Sequence, residues 1–245
     1  MSLAIPYSDA SRPPKPPAET ELMTDSTTTF DWITDRLSDF YASAQSAPDG
    51  VPVISHRLYA DVYNVMYNFC SAANSLQGEL RVPGPDTGDL YHRLEQIIRD
   101  HCVQIRTQVF PLDLSTVETA RAGIRTYLTQ LQRFKDLANR VAHLVRCLET
   151  NWIRREIDAG TKDLLFLRDI HRRSWREDVL QCDKESIGFM TGIDFLRHAG
   201  GMLLRPGQGW ASDDDEGLLR SLAGPQAPRS SFRMRGDLMV VSEYD

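Results

Sequence analysis

From Phe30 to about residue 180 the apolar residues of this chain recur with helical spacing, and no hairpin signal interrupts them. A sequence with that single period buries its apolar surface by packing helix on helix, so the expected fold class is all-α. Phe30, Ile33, Leu37, Phe40, Tyr41 and Ala44 form the first stripe, with Thr29 placed to cap it and Pro48-Asp49-Gly50 to end it. Ser55 opens a second helix of about 20 residues. A third carries Leu90, Leu94, Ile97, Ile98, Cys102, Ile105 and Val109 on its buried side and breaks at Pro111. Ser115-Thr116-Val117-Glu118 reads as a capping box. The helical pattern then runs to about Glu156, long enough that a bend is expected near Lys135-Asp136. Gly160 is a C-terminal stop, and a fifth helix is expected over Lys162–Leu180.

The two ends differ from this body. Residues 1–28 hold five of the 13 prolines and few large apolar side chains, which predicts a disordered tail. Within it, Pro13-Pro14-Lys15-Pro16-Pro17 suits either a polyproline II ligand or a plain spacer. Residues 181–245 hold nine of the 15 glycines and the acidic run Asp213-Asp214-Asp215-Glu216. They read as irregular or partly disordered, with one short helix over 189–204. The domain expectation is therefore a tail over 1–28, a helical body over 29–180 and an irregular segment over 181–245.

Charge and composition narrow the function classes. The chain has 28 basic and 34 acidic residues, a formal net charge of −6. It lacks the cationic surplus by which proteins displace counterions from nucleic acid, so no nucleic-acid partner is expected. No apolar run is long enough to span a bilayer, so no membrane partner is expected, and the N-terminus lacks the pattern of a secretory signal. The four cysteines form no CxxC, and three lie among apolar neighbours in helical pattern. Buried reduced thiols in the cytoplasm and/or nucleus are the expectation.

No catalytic constellation emerges. The six histidines make no HExxH and pair with no cysteine at zinc-ligand spacing, so neither metal nor cofactor is expected. His92 with Glu95, and Asp194 with His198, read as isolated local pairs. There is no GxSxG elbow, no Walker A loop and no GxGxxG after a strand. No acid, base and nucleophile converge, so the chain is not expected to be an enzyme.

The second helix carries more apolar surface than one core requires. Leu58, Val62, Val65 and Phe69 form one stripe, and Tyr59, Tyr63, Met66 and Cys70 a second, displaced by roughly 100°. The second stripe meets either another helix of the same chain or a partner. Three tyrosines, with Tyr67, tilt the reading toward an interface.

At this point the sequence resembles a known family. Leu58-Tyr59-Ala60-Asp61-Val62-Tyr63-Asn64-Val65-Met66-Tyr67-Asn68-Phe69-Cys70 resembles the second helix of the cullin amino-terminal domain. Leu148-Glu149-Thr150-Asn151-Trp152-Ile153-Arg154-Arg155-Glu156-Ile157-Asp158-Ala159-Gly160 is similar to a W-V-R-R-E-x-D-x-G segment of the cullin that scaffolds Skp–cullin–F-box ubiquitin ligases. Trp175-Arg176-Glu177 matches a W-R-D/E near the end of the family's fifth helix, and the likeness spans about residues 30–180.

The resemblance implies a cullin repeat, a non-catalytic bundle of about five helices. In the family, the second and fifth helices dock the Skp-type adaptor that carries F-box receptors. Carried over by position, Tyr59, Tyr63 and Met66 fall on the second helix of that face, and Leu164, Arg168 and His171 on or near it from the fifth. Two departures bear on docking. Ala60 replaces a larger apolar residue, and Arg168 with His171-Arg172-Arg173 replaces an aromatic and an apolar run, so the docked surface must be acidic or the docking weakened. Nothing after residue 181 resembles the later repeats or the cullin homology domain, so a RING subunit is not an expected partner. The function expected is an interaction protein of the ubiquitin–proteasome pathway that binds a Skp-type adaptor and F-box protein and competes with the full-length cullin. The alternative is a truncated or decayed cullin fragment without adaptor affinity.

Overall fold

The computed structural model describes residues 15–18, 20, 25–46, 55–75, 84–110, 115–181 and 191–203. Among the described residues the regular structure is helical throughout, so the protein is all-α. The helices are α1 (Thr27–Ser46), α2 (His56–Ser75), α3 (Thr87–Val109), α4 (Val117–Leu144), α5 (Arg146–Leu148), α6 (Arg154–Asp158), α7 (Leu167–Ser174) and α8 (Gly192–Leu203). Two wider π-helical turns, Glu149–Ile153 and Trp175–Leu180, follow α5 and α7 directly.

The helices form where the apolar period places them, and their ends correct the expected caps. Helix α1 starts at Thr27, before Thr29. The Asp25 carboxylate accepts from the Thr27 amide at 2.8 Å, while the Thr29 hydroxyl is buried without a partner among the described residues. Ser26 is buried and donates to the Pro85 carbonyl at 2.7 Å, so the packed body begins earlier than residue 29. The capping box before α4 is shifted by one residue. The Thr116 hydroxyl accepts from the Thr119 amide at 3.1 Å, and the Thr119 hydroxyl accepts from the Thr116 amide at 3.2 Å. Ser115 and Glu118 do not make the box.

The seven apolar residues assigned to the third helix are all buried on α3. Helix α4 runs unbroken past Lys135-Asp136, because Phe134, Leu137, Val141 and Leu144 stay buried in register. The break comes at Val145, at φ −100° and ψ 21°. Helix α6 ends as expected at Gly160, whose φ of 85° suits glycine. The Gly160 amide donates to Ile157 O and the Thr161 amide to Glu156 O, both at 2.9 Å, a Schellman closure. The expected fifth helix starts five residues late, at Leu167, because Asp163 takes φ 70° and Phe166 stays extended.

The described residues pack as two units that interleave in sequence, where the sequence suggested one body over 29–180. The first unit draws on the chain to Phe40, Val53–Leu94 and His143–Leu164. Its core includes Ile33, Leu37, Val62, Met66, Phe69, Leu90, Tyr91 and Leu148. The second draws on Tyr41–Pro52, Glu95–Ala142 and the chain from Leu165 on. Its core includes Tyr41, Ile98, Cys102, Tyr127, Phe134 and Trp175. Packing does not stop at residue 180: the Phe195 ring of α8 lies edge-on to Phe110 at 5.1 Å. Gly123 leaves room for that ring, since a Cβ there would stand 2.6 Å from Phe195 Cζ. Pro13, Pro14, Cys182 and the acidic run Asp213-Asp214-Asp215-Glu216 lie outside the described residues, as does most of each expected tail.

Candidate functional site

Helix α2 begins where the Ser55 hydroxyl accepts from the Leu58 amide at 3.2 Å. Val62, Val65 and Phe69 of the first stripe are buried, with Leu58 half-buried at its start. The second stripe divides along its length. Tyr59 is half-buried and Tyr63 is 38% exposed, whereas Met66 and Cys70 are fully buried. Tyr67, on the turn beyond Tyr63, is 50% exposed. The C-terminal half of the stripe therefore belongs to the core of the first unit, where α2 packs on α5 and on the turn Glu149–Ile153. Met66 is corrected from a contact residue to a core residue. Partial burial, then the neighbouring Tyr63, raise the Tyr59 phenol above its ordinary range, so its ring is neutral at physiological pH.

The residues expected from the fifth helix part in a similar way. Leu164 is half-buried in the first unit, ahead of α7 rather than on it. Arg168 is exposed on the first turn of α7, in the second unit. His171 is 2% exposed and cannot face a partner in this structure. Its Nδ1–H donates to the Leu167 carbonyl at 2.7 Å, which leaves Nε2 to accept from the Tyr41 hydroxyl at 2.8 Å. Arg173 is committed to an ion pair with Glu95 inside the second unit, and Arg172 lies 3.5 Å from Asp169. The basic run is thus partly spent on this chain's own carboxylates.

His101 and His171 share one buried aromatic cluster in the second unit. The Tyr41 ring packs edge-on to His101 at 5.1 Å, and Phe134 lies 6.1 Å from His101 and 5.5 Å from His171. Burial holds both imidazoles far below their usual range, at about 4, with His171 adding to the effect on His101. The pair is neutral at physiological pH and sealed from any substrate in bulk water. Nothing in the sequence linked the two histidines, 70 positions apart. The one available signal was His101 itself, which shares the apolar face of Ile98, Cys102 and Ile105.

The tryptophans that carry the family likeness are packing residues. Trp152 lies 5.5 Å from the Tyr91 ring, and a Cβ on Gly88 would come within 3.2 Å of it. Trp175 is fully buried between Phe134 and Tyr127, at 4.9 and 5.9 Å. Asp194 caps α8 with Thr191, whose hydroxyl accepts from the Asp194 amide at 3.1 Å. Among the described residues no three of His, Cys, Asp and Glu gather to hold a metal, and no helix is long and apolar enough to cross a membrane. Comparison with known protein families, curated proteins and solved structures finds no match to this chain.

Proposed function

We propose that this chain is a non-catalytic, cullin-like interaction module that docks a Skp-type adaptor, with its F-box receptor, through the outward face of α2. The observation that carries the reading is the exposure of Tyr63 and Tyr67, with Tyr59 half-buried one turn before them, on a helix whose Val62, Val65, Met66 and Phe69 are core. A tyrosine presents a large apolar body with only two χ angles to immobilise, so a cluster of them suits a protein interface. Ala60 is exposed beside these rings and adds no anchor of its own. The proposed setting is the ubiquitin-dependent degradation pathway of the cytoplasm and/or nucleus.

Co-expression with a Skp-type adaptor and gel filtration tests it. A shared peak at micromolar concentration is expected, and separate peaks overturn it. The burial of Met66 and His171 favours a second reading, a helical domain without adaptor affinity, because it withdraws two of the six expected contact residues. Separate peaks from a chain with intact helical content are the outcome that reading requires.

A further inference from the structure

The first unit contains a pair of thiols that the docking face does not use. Cys70, on the last turns of α2, and Cys147, in α5, come from positions 77 residues apart in sequence, yet their sulfurs stand 4.0 Å apart. That is contact distance, about twice the covalent S–S length of ~2.05 Å. Helices α2 and α5 pack directly on each other, and a bond requires the two sulfurs to close a gap of about 2 Å. Cys102 belongs to the second unit.

We propose that Cys70 and Cys147 are a reversible dithiol–disulfide pair, oxidised by a peroxide, that bolts α2 to α5. The two sulfurs have different exposure and therefore different roles. Cys147 is 5% exposed and Cys70 is sealed, so a small oxidant entering by local opening meets Cys147 first. The Cys147 thiolate attacks one peroxide oxygen and breaks the O–O bond, giving a sulfenic acid and, after proton transfer, one water. The Cys70 sulfur then attacks the sulfenic sulfur, the S–O bond breaks, and the second water leaves with the Cys70 proton. Two thiols and one hydrogen peroxide thus become one disulfide and two waters, the sulfurs losing the two electrons that the peroxide gains.

The electrostatics agree with that order. The hydrogen bond with Cys70 holds the Cys147 thiol below its ordinary range, while the same contact and then burial push Cys70 up. A resolving thiol already in contact captures the sulfenic acid before a second oxidant molecule reaches it. The bond would span the sequence from 70 to 147 and constrain the unfolded chain strongly. It would leave Tyr59 and Tyr63, at the far end of α2, open to a partner.

Treatment of the full-length chain with hydrogen peroxide tests this, followed by alkylation of free thiols under denaturing conditions and peptide mass spectrometry. A crosslinked Cys70–Cys147 peptide that disappears on dithiothreitol treatment is expected, together with a thermal midpoint raised by at least several degrees over the reduced chain. Cys70→Ala, which retains a small apolar side chain, should lose both effects and accumulate sulfenic acid on Cys147, detectable by dimedone. Recovery of both thiols unmodified overturns the proposal. So does a crosslink to Cys102 or Cys182 instead, or sulfinic acid on Cys147 with Cys70 free in the unmutated chain. Because the crosslink is mapped on the unmutated chain, the result does not depend on how the variant folds.

Discussion

The Tyr41 hydroxyl donates a 2.8 Å hydrogen bond to Nε2 of His171, joining side chains 130 positions apart inside the second unit. Both groups are buried to within 2% of full enclosure, so neither has water as a substitute partner. Tyr41→Phe keeps the ring and strands the His171 acceptor. A loss of about 1–3 kcal/mol is expected in urea unfolding. An unchanged midpoint would mean that the bond contributes nothing to stability.

The same cluster makes stability depend on pH. Unfolded, His101 and His171 titrate near 6.5; folded, burial holds both at about 4. Between those values the unfolded chain binds more protons, so stability is complete above pH 6.5 and is lost as pH falls toward 4. Each histidine contributes up to roughly 3 kcal/mol on this basis. Urea midpoints measured at pH 7 and pH 5 should fall at the lower pH, and His101→Leu should flatten that fall.

The shifted capping box before α4 separates two assignments of its residues. Thr116→Ala removes the acceptor for the Thr119 amide and should cost about 1 kcal/mol. Glu118→Ala should cost only a few tenths, the residual effect of a carboxylate near a helix N-terminus. Equal losses in chemical denaturation would return the box to Ser115 and Glu118.

Helix α8 is part of the second unit's core rather than an appendage. Phe195→Ala removes a ring packed on Phe110 and over Gly123, with an expected cost of about 3–5 kcal/mol. A variant as stable as the parent in denaturant would show that the packed body ends near residue 180.

The apolar period made the helices legible, since Leu90, Leu94, Ile98 and Cys102 are buried where a 3.6-residue repeat puts them. Helix ends were less legible because neighbouring residues compete for the same amides. Asp25 displaced Thr29, and Thr116 with Thr119 displaced Ser115 with Glu118. The late start of α7 depended on the left-handed turn at Asp163, a residue type that tolerates φ above zero but does not require it. On the candidate face, the wheel placed Tyr63 and Met66 on one stripe. A wheel has no information on where along its length a neighbouring helix begins to cover that stripe. His171 was misplaced for a related reason: a histidine beside two arginines reads as surface, and one of the two partners that satisfy its buried ring, the Tyr41 hydroxyl, is 130 positions away.

The central claim is that the outward tyrosines of α2 are binding anchors, and calorimetric titration with a purified Skp-type adaptor bound to an F-box protein tests it most directly. The chain should bind with micromolar or tighter affinity, and Tyr59→Ala combined with Tyr63→Ala should weaken binding about 100-fold or more with the circular dichroism spectrum unchanged. No measurable heat from the unmutated chain, or equal affinity in the double variant, would contradict it.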